Sequence, residues 1–258
     1  MPGEWNSSQQ GLVLITGASG GFGLHFALQL EAQGYVLILH GRDKTRLQMT
    51  LDALEFPERH QLMLGDLSSR KTLESLIDAL VQMPIVGLVN NAGFGVWGGF
   101  EQRESVPQLD VLRTDLLAPV ALAHALLPKL KKNHGFIINV SSLAGESPLP
   151  YMATYAAAKA GLTFWSEAIR AELLGSVRVV TLAPGPSPTG FRQISGAPQG
   201  KGSLFRIPAA QVVQSALRVL KGGGGYCVPG FRHHLIWMMQ KIVPRSVSLA
   251  MMAYYLRR

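Results

Sequence analysis

Seven short apolar runs recur along the chain: Leu12–Thr16, Tyr35–Leu39, Gln61–Leu64, Ile85–Asn90, Phe136–Ser141, Val177–Leu182 and Gly225–Pro229. They are continuous rather than alternating, the pattern of strands covered on both faces. Each of the first six is followed by a segment with helical spacing, such as Phe22–Gln33, Leu73–Gln82, Val106–Lys132 and Tyr151–Leu174. The alternation predicts an α/β fold: a doubly wound, seven-stranded parallel sheet with helices on both faces. Ligands of such sheets sit at the carboxyl ends of the strands. No linker or repeat of solenoid period divides the pattern, so residues 1–230 are expected to form a single domain.

Two segments depart from it. Pro184–Ile207 is rich in Gly, Pro, Ser and Gln and follows a strand end, which suits a flexible substrate loop. Residues 231–258 form a C-terminal extension with apolar clusters at Leu235–Met239, Ile242–Val243 and Ala250–Leu256. Arg232, Lys241, Arg245, Arg257 and Arg258 make it basic, without any acid. Such a segment either covers the cleft or meets another subunit, or else makes a peripheral contact with an anionic membrane. The cover is favoured, because a doubly wound domain leaves its cleft open.

Composition narrows the class. The 258 residues are 47% hydrophobic and only 16% charged, which implies a large core and excludes disorder and collagen-like repeats. One cysteine, Cys227, cannot form an internal disulfide, as expected of a reducing compartment. Met1–Gln10 holds no Lys or Arg, so it lacks the charged start of an export signal. No unbroken apolar run approaches the roughly 18 residues of a spanning segment, and a cytoplasmic location is expected. The net charge of +8 is uneven, with −3 over residues 1–172 and +11 over residues 173–258. No helix-turn-helix, zinc or RNA-binding signature accompanies that basic third, so no nucleic-acid partner is expected.

The first strand runs straight into Thr16-Gly17-Ala18-Ser19-Gly20-Gly21-Phe22-Gly23, where a helix begins. Glycines let a backbone turn sharply and approach a pyrophosphate, while free amides at the helix start receive its charge. No Gly-Lys-Ser/Thr ends the motif, which argues against a nucleoside-triphosphate P-loop. The fold is therefore expected to be of the Rossmann, dinucleotide-binding type.

The glycine spacing resembles the opening of the short-chain dehydrogenase/reductase family, and the likeness continues from Leu12 to Thr189. Asp66-Leu67 follows the third strand, and Asn90-Asn91-Ala92-Gly93 follows the fourth. Tyr155 and Lys159 fit Tyr-x-x-x-Lys, with Ser142 13 residues before Tyr155. Pro184-Gly185 with Thr189 resembles the segment that grips the nicotinamide. The resemblance implies a catalytic set of Ser142, Tyr155 and Lys159. It implies cofactor contacts from Gly17, Ser19, Gly21, Phe22, Gly23, Arg42, Asp66, Leu67, Asn91, Ala92, Gly93, Tyr155, Lys159, Pro184, Gly185, Ser187 and Thr189. Tyr151 and Ser141 fail the same spacing.

The chemistry of these residues agrees. Tyr155 and Lys159 share one helical face. A free phenol titrates near pH 10, at about 10, and a neighbouring ammonium is expected to pull that value down toward neutrality. Ser142 would hold the substrate oxygen near Tyr155. The family places an asparagine in the helix after strand four, where it supports a water chain to the lysine; here the matching position is Asp115. Asp115 either joins that relay or is a polar residue on a half-exposed face.

An acid at the end of strand two would select NAD, but 18 residues past Gly23 stands Gly41, followed by Arg42. Arg42, helped by Ser19, suits a 2′-phosphate, and Asp43 reads as the N-cap of the next helix. NADP(H) is favoured over NAD(H). Phe94–Trp97, Ala144–Leu149, Phe191–Phe205 and the tail would wall the substrate site with apolar side chains, which suits a bulky apolar ketone or alcohol. The alternative is a non-catalytic NAD(P) sensor or scaffold on the same fold, which would be expected to lack Tyr155 or Lys159. Small residues at Ala156–Gly161 permit close helix packing. The resemblance makes that helix a subunit contact in a homodimer or homotetramer, and the other reading is packing within one chain.

Overall fold

A computed structural model describes residues 11–198 and 206–256. The expectations that fall on Met1–Gln10, Leu204, Phe205, Arg257 and Arg258 lie outside the described residues. Seven parallel strands form one sheet: β1 (Leu12–Thr16), β2 (Val36–Gly41), β3 (Gln61–Leu64), β4 (Ile85–Asn90), β5 (Phe136–Val140), β6 (Arg178–Leu182) and β7 (Gly225–Cys227). Their order is β3-β2-β1-β4-β5-β6-β7. The winding reverses between β1 and β4, so a crevice opens beyond the carboxyl ends of those two strands, as expected of a switch point.

Burial on both faces follows from the alternation of side chains along each strand. On β1, Val13 and Ile15 enter one core cluster, with Phe26 and Leu30, while Leu14 enters the other, with Leu122 and Leu126. On β5, Phe136, Ile138 and Val140 face the first cluster and Ile137 the second. Three expectations are corrected. β3 is not buried, because it is an edge strand, and Leu64 is 51% exposed. β2 runs past Leu39 to Gly41, because its pairing with β3 continues through His40 and Gly41 although His40 is polar. β7 stops at Cys227, two residues before the expected end.

The helices are α1 (Phe22–Glu31), α2 (Lys44–Asp52), α3 (Arg70–Leu80), α4 (Ser105–Leu112), α5 (Ala118–Lys132), α6 (Ala153–Glu172), α7 (Phe191–Ser195), α8 (Ala209–Lys221), α9 (Phe231–Ile242) and α10 (Arg245–Leu256). Asp43 caps α2 as expected, its Oδ1 accepting from Arg46 N–H at 3.0 Å. α4 and α5 join through a wide π turn, Arg113–Leu117, in which Ala118 N–H reaches back five residues to Arg113. Pro119 has no N–H to return to the Asp115 carbonyl, a local reason for the α ladder to slip there. This 28-residue helix, Ser105–Lys132, is long and apolar enough to cross a membrane. Here Val111, Leu122, Leu126 and Leu130 bury it in the core.

Candidate active site

The glycine turn is built by close approach. Gly17 has φ 62° and Gly21 has φ 55°, left-handed conformations that favour glycine. A Cβ on Gly23 would lie 2.2 Å from the Gly17 carbonyl oxygen, so α1 can start against the turn only with glycine there. No side chain caps α1, and Gly21 and Phe22 at its start line the crevice. Asn91 Nδ2 donates to the carbonyls of Thr16 and Gly17, both at 2.9 Å, and Thr16 Oγ1 accepts from the N–H of Asn91 and Ala92. The segment after β4 thus pins the turn after β1. A phosphate-sized cradle with glycines where a Cβ would intrude fits a dinucleotide.

The cradle is one end of a cavity of about 920 Å³. Gly17, Ser19, Gly21, Phe22, Arg42, Asp66, Leu67, Asn91, Ala92, Gly93, Ser142, Tyr155, Lys159, Pro184, Gly185, Ser187 and Thr189 all line it, and Gly23 and Asp115 stand directly behind its wall. Arg42 Nη1 lies 3.6 Å from Asp66, and its guanidinium sits 5.5 Å from the Phe94 ring centroid. Burial acts upward on the Asp66 carboxyl, but hydrogen bonds from Ser68 and the Arg42 charge outweigh it, leaving its pKa lowered. Arg46 also lines this end, a second cation that motif reading passed over because it lies inside a helix.

Tyr155 and Lys159 project together from α6 and are 9% and 4% exposed. Lys159 Nζ donates to the Val140 carbonyl at 2.9 Å and pairs with Asp115 Oδ2 at 3.1 Å. Asp115, on the π turn, is wholly buried, so the half-exposed reading is wrong. Its Oδ1 accepts from Phe94 N–H at 3.0 Å. Burial raises its pKa, opposed by the Lys159 charge and the Phe94 hydrogen bond. A Cβ on Gly93 would fall 2.6 Å from Asp115 Oδ2 and 3.1 Å from Lys159 Nζ, which explains a glycine at that place.

The expected downward pull on Tyr155 is corrected. Burial pushes its phenol above the ordinary range, the Asp115 charge adds to the rise, and a hydrogen bond with Ser142 acts the other way. Lys159 is 5.7 Å from the ring centroid, and Asp115 compensates its charge. Ser142 Oγ accepts from Ala144 N–H at 3.1 Å and faces the cavity. Ser141, by contrast, is buried and bonded to the Lys159 carbonyl and Thr163. Tyr151 stacks on Trp97 instead, with centroids 5.9 Å apart.

Trp97, Ala144, Leu149 and Phe191 wall the far end, whereas Phe94 lies under the Arg42 guanidinium, and α7 forms part of the segment expected to be a flexible loop. Among the described residues of the extension, His233, Ile236, Gln240, Met252 and Leu256 line the same cavity. Lys241 Nζ donates to Glu146 at 2.8 Å, Gln240 donates to Ser147 at 3.2 Å, and Tyr226 OH donates to Glu146 at 2.5 Å. The small residues of α6 serve contacts within the chain: Gly161 faces Leu116, and Ala160 abuts Gly145.

The chain matches the short chain dehydrogenase family over residues 11–199. It is 32% identical over 178 residues to the ketoacyl reductase HetN of Nostoc sp., a match covering 67% of this chain and 62% of that relative's length. The match thus spans less than two thirds of the relative. A short-chain dehydrogenase from Sphingobium yanoikuyae in complex with NADPH superposes with a TM-score of 0.81 at 26% identity, covering 94% of this chain and 95% of that one. The bulky-bulky ketone specific alcohol dehydrogenase from Comamonas testosteroni gives 0.75 at 25% identity, covering 90% and 93%.

Proposed function

The chain belongs to the short chain dehydrogenase family, and we propose that it is an NADP(H)-dependent oxidoreductase interconverting a carbonyl and an alcohol on a bulky apolar substrate. The observation that carries this reading is the convergence of the glycine cradle with Ser142, Tyr155 and Lys159 on one cavity. A nicotinamide dinucleotide held along Gly17–Gly23, Asp66–Leu67, Asn91–Gly93 and Pro184–Thr189 supplies or accepts the hydride. Ser142 orients the substrate oxygen, and Tyr155 gives it a proton in reduction. Lys159 is assigned to the nicotinamide ribose hydroxyls and Asp115 to the compensation of its charge.

Arg42, Arg46 and Ser19 supply a cationic end without a carboxylate at Gly41, which supports NADP(H) over NAD(H). The apolar walls, together with the likeness to a bulky-ketone enzyme, support a bulky substrate. Exposed Leu117 and Phe164 on the π turn and α6 suit a contact between copies in a homodimer or homotetramer. The wall contributed by α9 and α10 supports the cleft cover, and their exposed outer residues, among them Phe231, Ile242 and Met251, are where a peripheral membrane contact would form. A cytoplasmic enzyme fits these features. Tyr155→Phe should cut carbonyl reduction by about 10²-fold or more with NADPH binding retained. A variant keeping a tenth of the rate overturns the assignment of Tyr155, whereas an unmutated chain that binds NADPH without turning over any carbonyl favours a sensor or scaffold.

A further inference from the structure

We infer that His233 is a specificity-determining residue that hydrogen-bonds a second oxygen of the substrate, a few bonds from the reacting carbonyl. The inference rests on the reductase reading above. His233 stands at the start of α9, and its residue is 1% exposed. Neither Nδ1 nor Nε2 has a hydrogen-bond partner among the described residues, and His233 is one of the residues that line the cavity. A neutral imidazole carries one donor and one acceptor whichever tautomer it takes. Buried polar groups of this kind are nearly always satisfied, so a bare pair facing a cavity points to a ligand.

The ring's position says which part of the ligand it meets. It lies over Gly185, where a Cβ would come within 2.6–2.7 Å of three ring atoms. Glycine at that site is what lets the ring reach so far in. Gly185 follows Pro184, whose carbonyl accepts from Leu143 N–H at 3.1 Å, and Leu143 follows Ser142. His233 therefore approaches the cavity one short stretch of backbone away from the serine assigned to the reacting oxygen. Ile236, Leu149 and Phe191, which border the same cavity, carry no polar side-chain atom, and the nearby Gln240 donates to Ser147 instead.

The helix that carries the ring is anchored. The Lys241–Glu146 and Gln240–Ser147 contacts hold α9 to the loop after β5, and Tyr226 holds the same glutamate. A fixed, buried hydrogen-bonding group in apolar surroundings discriminates strongly against an analogue that lacks its partner. The substrate class that fits is a long apolar ketone with a carbonyl or hydroxyl oxygen close to the reacting carbon, rather than a plain ketone.

The test is a cycle between protein and substrate, with NADPH, ethyl 3-oxodecanoate and the chain-matched ketone that lacks the ester. The keto ester is intrinsically the more electrophilic, and taking the ratio of kcat/KM between variants removes that difference. His233→Phe should lower the ester-to-ketone ratio about tenfold or more, with ketone turnover and NADPH affinity within a few-fold of the parent. His233→Gln, which keeps a donor and an acceptor, should recover part of the ratio. An unchanged ratio in both variants would make the ring a packing residue and overturn the inference. Equal losses on both substrates with weakened NADPH binding would do the same, by assigning the ring to the nicotinamide. A parent protein that binds NADPH but reduces neither ketone would sink the reductase reading, and this inference with it.

Discussion

Replacing Asp115 by asparagine isolates the charge that separates this site from its expected pattern. The carboxylate lies 3.1 Å from Lys159 Nζ in a wholly buried position. At an effective dielectric of about 20 such a pair is worth about 5 kcal/mol of Coulomb attraction, most of it offset by desolvation. Removing the negative charge leaves the ammonium uncompensated 5.7 Å from the Tyr155 ring centroid. The same dielectric gives about 3 kcal/mol there, which is about two pH units of downward pull on the phenol. The Asp115 charge also raises the Tyr155 pKa directly, so its loss acts in the same direction. The pH at which alcohol oxidation reaches half its maximum should therefore fall by about one to two units in Asp115→Asn, measured as NADP⁺ reduction at saturating alcohol. Losing one partner of a buried pair should also lower stability by about 3 kcal/mol or more, read by urea denaturation. A midpoint that stays or rises would overturn the compensation argument.

Three further outcomes are expected. Arg42→Ala and Arg46→Ala should each weaken NADPH about tenfold while changing NADH little, because only the 2′-phosphate loses a charge-assisted hydrogen bond; equal weakening in a fluorescence titration would assign them to the fold. His40 is 2% exposed, and burial lowers its pKa to about 4, so the unfolded chain binds its proton more tightly. Its contribution is complete above pH 6.5 and is lost as pH falls toward 4, about 3 kcal/mol in all; His40→Gln should flatten that part of the stability profile, and an unaltered slope would refute the assignment. Phe164, 73% exposed on α6, should hold copies together, so Phe164→Glu should shift sedimentation toward a single species of 27.9 kDa.

The sheet could be read in advance because strands such as Val13–Ile15 and Ile137–Ile138 are apolar on both faces, and only a doubly covered sheet buries both. The glycine turn was legible because close approach leaves no other residue at Gly23. Errors arose where a polar side chain is buried by distant partners. His40 sits in a strand that pairs through it, which is why β2 outran its apolar stretch. Asp115 gave no local sign of burial; Pro119, four residues on, is the one hint of the π turn that carries it. The Tyr-x-x-x-Lys spacing and an oxidised nicotinamide suggest a lowered pKa for Tyr155, whereas burial, with the Asp115 charge from the helix after β4 added to it, raises that value. Arg46 and His233 lie inside helices without a motif, and only the cavity connects them to the site.

A buried ion pair is weak evidence for stability, so the Asp115–Lys159 contact asks for another reason to exist. The geometry supplies one. Asp115 accepts from Phe94 N–H while its other oxygen meets Lys159, and Gly93 lies against both charges with no room for a side chain. Asn91, two residues earlier, holds the carbonyls of Thr16 and Gly17. One short segment after β4 therefore ties the phosphate turn, the π turn and the face of α6 that bears Tyr155 into a single rigid arrangement. Moving any one of them displaces the distance between cofactor cradle and proton donor, the distance on which hydride transfer depends. Loss of Asp115 is accordingly expected to act on catalysis through both charge and position, and the pH midpoint separates the first from the second.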